Sequence, residues 1–80
     1  MYHKDSRSIA DIVMKNIVEN VIRQIIADRE ASRSPLLFAT SLEVSHRAGL
    51  SVDQVEKVAH DIPGIKIGKT LNHEYYKFST

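Results

Sequence analysis

VSHRAGLSVDQVEKV, residues 44–58, holds two helical patterns separated by a glycine. Each pattern has its own start signal. Thr40 stands three residues before Glu43 and Ser51 three before Gln54, so each start offers a hydroxyl cap and a side chain at the third position that reaches back to the cap. Gly49 can take the left-handed conformation that ends the first helix, and Ile62-Pro63-Gly64 stops the second. Ser45, small and four residues before Gly49, lets the two helices cross closely, while Leu50, Val55 and Val58 turn the second helix inward. The spacing therefore predicts helix, tight turn and helix over residues 40–62.

Upstream, residues 8–30 read as one long helix, opening on a Ser8 cap with Asp11 three residues later. Its apolar residues between Met14 and Ile26 cover roughly half the helical circumference, a wider face than the single stripe of an ordinary surface helix. Met14, Val18, Val21 and Ile25 also follow the 4-3-4 spacing of a helix-pairing seam. Pro35 breaks the helix, and the continuous apolar run Leu36-Leu37-Phe38-Ala39 suits a short buried strand. Downstream of Gly64 the period changes to two. Ile65 and Ile67 alternate with Lys66, residues 68–72 turn, and Tyr76 and Phe78 alternate with Tyr75 and Lys77, which predicts a hairpin over residues 65–78.

Within that hairpin, GIKIGKT ends in the Gly-Lys-Thr of a phosphate-binding loop, but Gly64 lies one residue too close to Gly68. Aromatic β-formers then follow where that loop requires a helix N-terminus. Nucleotide binding is excluded on both counts. The four histidines show no paired metal spacing, no nucleophile, histidine and acid arrangement is visible, and 80 residues leave little concave space for catalysis. No enzyme activity, metal or cofactor is expected. The absence of cysteine fits a reducing cytoplasm, and the polar start MYHKDSRS resembles neither a signal peptide nor a membrane span. A net charge of +1 does not announce a nucleic-acid partner, yet Lys66, Lys69 and Lys77 cluster toward the C-terminus against Glu74 alone.

The order of long helix, short strand, two helices joined by a glycine turn, and terminal hairpin resembles the winged helix-turn-helix superfamily. VSHRAGLSVDQVEKV stands as the helix-turn-helix and IKIGKTLNHEYYKF as the wing. The resemblance implies an α+β, mainly α, single domain over residues 1–80. It also implies a small protein that binds double-stranded DNA and serves as a transcriptional or mobile-element regulator. The second helix of such a motif lies in the major groove, and lysine and hydroxyl groups on a wing meet backbone phosphate. The expected contacts are Arg47 before the turn, Ser51, Val52 and Lys57 on the second helix, and Lys66, Lys69, Thr70 and Asn72 on the wing. Gly68 is expected to permit the wing's turn. A homodimer through the first helix, with Met14, Val18, Val21, Ile22 and Ile25 at its interface, would cover the excess apolar face. The alternative is a winged-helix protein-interaction module without direct DNA contact, since Asp53 and Glu56 on the second helix repel phosphate.

Overall fold

The computed structural model of the protein describes residues 3–78. Three helices and a three-stranded antiparallel sheet follow in the order α1 (His3–Ala31), β1 (Ala39–Thr40), α2 (Ser41–Ala48), α3 (Val52–Ala59), β2 (Ile65–Lys69) and β3 (Glu74–Phe78). This is an α+β fold, mainly helical. The sheet order is β1-β3-β2, so the chain's last strand lies in the middle and β2 at one edge.

Both capping boxes form. Thr40 Oγ1 accepts from the Glu43 backbone N–H while the Glu43 carboxylate accepts from the Thr40 N–H, and Ser51 and Gln54 repeat the exchange at α3. Gly49 ends α2 at φ 72, a left-handed conformation that a side chain resists. Its N–H returns to the Ser45 carbonyl, and the Ser45 hydroxyl donates to the Leu50 carbonyl, so the turn is held from both sides.

The core gathers one stripe of each helix against one face of the sheet. Val18, Ile22 and Ile25 of α1 meet Val44, Val55, Ala59, Ile62 and Tyr76, all buried. Each fully buried aliphatic side chain stabilises by about 1.5–3 kcal/mol, so this stripe fixes α1 more firmly than its intrinsic helix propensity does. Three of the five residues expected at a dimer seam are thereby used inside their own chain. Val18, Ile22 and Ile25 have no surface left to bury against a partner, and Met14 and Val21 sit half-buried beside them.

Three further expectations are corrected. The backbone is helical from His3, so Ser8 does not start α1; neither proline nor glycine stands between His3 and Ser8 to interrupt the helix. Of the apolar run 36–39 only Ala39 enters a strand, while Leu36 and Leu37 are exposed in the connection that follows Pro35. Gly68 lies inside β2 and has no positive φ, and the chain instead turns at residues 70–73, closed by a Thr70 N–H bond to the His73 carbonyl.

Candidate nucleic-acid interface

The hairpin's two faces differ. Ile65, Ile67, Tyr76 and Phe78 point toward the core, and the alternation of β-strands sends Lys66, Gly68, Tyr75 and Lys77 to the opposite, outer face. Lys66 and Lys77 are direct cross-strand partners and both are exposed. Like charges in that position repel, so the pair is a site of stored positive potential that an anion would relieve. Next to them Gly68 pairs with Tyr75. A Cβ on Gly68 would stand 2.1 Å from Tyr75 Cζ, so the tyrosine ring occupies the space of the missing side chain. Phe38 packs against the same ring, tilted by 48°, at 5.0 Å between centroids. The outer face therefore combines two lysines with an aromatic pair.

A polar network fixes the hairpin to α3. Glu74, only 8 % exposed, accepts from the Tyr76 hydroxyl through Oε1 at 3.0 Å and meets His60 Nε2 through Oε2 at 3.0 Å. The Glu74 backbone N–H and the Ser41 hydroxyl both donate to Glu56 Oε2, at 3.3 and 3.1 Å. Burial, together with the neighbouring Glu74 and Glu56 carboxylates, pushes the Tyr76 hydroxyl above the ordinary phenol range and keeps it a donor. Among the described residues no buried side-chain polar atom lacks a partner. Glu56 was expected on the outward face of the second helix; it turns inward and ties α2, α3 and β3 together. The repulsion of phosphate it implied is accordingly reduced.

The expected contact residues do not form one patch. Lys69, Thr70 and Asn72 stand together at the hairpin end beside α3, whereas Lys66 shares the outer face with Lys77. The Thr70 hydroxyl donates to the His73 carbonyl at 2.9 Å and is committed to the turn. The Ser51 hydroxyl is committed to the α3 cap, and Val52 is half-buried. Arg47, at the end of α2, lies 3.5 Å from Asp28 of α1, an exposed pair of little strength that nevertheless shields its charge. Lys57 projects from α3 into an open groove of about 330 Å³ shared with α1, whose apolar residues Ile12, Met14 and Val58 are bordered by Asp11, Lys15, Lys57 and Asp61. Lys77 and Tyr75 were missing from the expected set. The period-two pattern placed them opposite Tyr76, but only the register shows Lys77 facing Lys66.

Among the described residues no group of histidines and acids is arranged to hold a metal, and no helix is long and apolar enough to cross a membrane. No family model, no curated protein and no solved structure matches the chain.

Proposed function

We propose that this chain is a winged helix-turn-helix module that binds double-stranded DNA, with the hairpin as its wing and α3 set against the groove, in the service of a transcriptional or mobile-element regulator. The observation that carries this reading is the Lys66 and Lys77 pair opposed on the outer face of the hairpin, with Lys69 at its end and the only carboxylate of the segment, Glu74, withdrawn into the core. Lys66 and Lys77 face no acid across the strand pair, whereas Lys69 faces the buried Glu74 and Lys77 shares a groove with Glu30 of α1. Exposed lysines bind backbone phosphate, and each phosphate neutralised releases condensed counterions. The Glu74 and Glu56 network holds the hairpin end, with Lys69, beside α3, so those two can meet one duplex, while Lys66 and Lys77 would reach phosphate from the outer face of the hairpin. Sequence would be read weakly, since α3 exposes Asp53 as well as Lys57, and Asp61 is exposed just beyond its end.

The groove between α1 and α3 favours a second reading. An apolar floor bordered by charges of both signs suits a protein partner, and the same fold would then serve as an interaction module. Titration of mixed-sequence duplex DNA at two salt concentrations separates the two. The DNA reading expects binding that weakens steeply with salt; absence of binding at low salt excludes it and leaves the protein-interaction reading.

A further inference from the structure

Between Ile9 and Asn20 the solvent side of α1 carries no charge at its centre. Ile9, Val13, Asn16, Asn20, Gln24 and Ala27 follow steps of three and four residues and are all exposed. Nine residues separate Ile9 from the buried Val18, half a revolution beyond two full turns, so this row lies opposite the core stripe. Ile12 and Ile17 flank it. The charged residues Asp11, Lys15, Glu19 and Arg23 form a separate row to one side, stepping by four, with Glu19 and Arg23 paired at 3.0 Å. A surface helix ordinarily sets its charges at the centre of its solvent face. Here Ile9 and Val13 stand there instead, 61 and 51 % exposed, with Ile12 and Ile17 at its flanks, 51 and 41 % exposed. Of these four only Ile17 belongs to the Met14–Ile26 face noted in the sequence; they form a second stripe, distinct from the one in the core.

We propose that this second stripe is covered by a second copy of the chain, the two α1 helices packing in parallel about a twofold axis along Ile9, Val13, Asn16 and Asn20. The row is self-complementary. In parallel pairing Ile9 meets Ile9 and Val13 meets Val13, while Asn16 and Asn20, each with donors and an acceptor, satisfy their own copies. Antiparallel pairing that sets Asn16 against Asn20 places Ile9 against Ala27 and Val13 against Arg23, and the register that brings Ile9 to Asn20 leaves amides unpaired, so over the length of the row only parallel pairing sets the aliphatic side chains against each other. Arg23 borders the row beyond Asn20, but its guanidinium is drawn aside to Glu19 and over the Phe78 ring, so it is held away from its copy across the axis. Contact from Ile9 to Ala27 runs about 27 Å. The four aliphatic side chains expose on the order of 400 Å² per chain, with Ile12 and Ile17 covered only in part because they flank the seam and Ile12 also floors the α3 groove; with the Asn16, Asn20 and Ala27 surfaces the pair comes near the roughly 1,200 Å² lower bound of specific interfaces. Each chain keeps its own core intact, since the α2, α3 and sheet contacts lie on the other side of α1. This pairing stands apart from the DNA reading: Lys66 and Lys77 are not in the seam, so failure of either leaves the other standing.

Sedimentation of the full chain at tens of micromolar is expected to give twice its 9.1 kDa mass. Ile9→Glu with Val13→Glu should yield the monomer while keeping the near-ultraviolet tyrosine signal of the packed core, because both side chains lie outside that core. The chain has no cysteine, so Asn20→Cys reports register without background: parallel pairing should give a disulfide-linked dimer under mild oxidation, and Lys66→Cys should not. A monomeric wild type overturns the proposal, as does a dimer indifferent to the double glutamate change. A dimer in which Asn20→Cys does not link overturns the parallel arrangement.

Discussion

The hairpin and α3 are joined at one end through Glu74, yet they expose opposite kinds of surface. The hairpin shows Lys66, Lys69 and Lys77 and hides its single acid, whereas α3 and the residue pair after it show Asp53, Lys57, His60 and Asp61, which nearly cancel. The difference assigns them different work in the proposed complex. Affinity would come from the strand pair, and the helix would contribute shape, position and a few polar contacts. The two also differ in what holds them. Local hydrogen bonds at Thr40, Gly49 and Ser51 shape the helical segment, while the hairpin depends on partners distant in sequence, Tyr75 over Gly68 and Glu74 against His60 and Glu56.

The largest effect expected is at the two glycines, which fail for different reasons. Gly68→Val meets the outer end of the Tyr75 ring, which must swing aside and give up its cover of the strand and its packing on Phe38, and this should cost on the order of 1–3 kcal/mol, read as a fall in melting temperature. Gly49 has nothing within 4 Å of its missing Cβ, so its requirement is the backbone angle alone. Gly49→Asn should therefore be mild, since asparagine tolerates the left-handed region, while Gly68→Asn should be severe. Equal losses at the two positions would erase the distinction between locally shaped and distantly held segments. Tyr76→Phe comes next: it removes one donor from the buried Glu74 carboxylate and should cost about 1–2 kcal/mol in denaturant unfolding, with the hairpin amides losing exchange protection before those of α2.

Glu43 supplies a smaller, pH-dependent effect on the helical side. Burial raises its pKa, but hydrogen bonds from Arg29 and Thr40 and the Arg29 charge outweigh that and hold it below the ordinary 4.5. The carboxylate's contribution is complete above that value and is lost as pH falls below it through the lowered pKa. Glu43→Gln should thus destabilise at pH 7 and flatten the acid limb of stability against pH; an unchanged limb would mean that the Arg29 contact contributes nothing. The smallest effect belongs to Lys57→Ala, which should leave stability within about 0.5 kcal/mol and the salt dependence of DNA binding within one unit of slope. A larger change in slope would make α3 a full partner in affinity.

What was legible in the sequence follows the same division. The capping boxes and the Gly49 turn are short-range patterns whose chemistry is complete within a few residues, and both form as expected. Gly68 was misjudged because its cause, the ring of Tyr75, comes seven residues later and reaches it only through the strand register. Glu56 looked outward on helical spacing, but its direction is set by Ser41 and the Glu74 N–H. In α1 the periodicity revealed too much apolar surface without telling which stripe faces the core. That choice is made by the partners, Val44, Val55 and Tyr76, that the stripe of Val18, Ile22 and Ile25 meets.

The most direct test of the central claim is the slope of log K against log salt for duplex DNA, measured for the wild type and for Lys66→Ala with Lys77→Ala. If the opposed lysines meet phosphate, the double change should weaken binding on all sequences alike and reduce the slope by about two units, as release of two counterions requires. A slope unchanged by the double substitution, or no binding by the wild type at low salt, would contradict it.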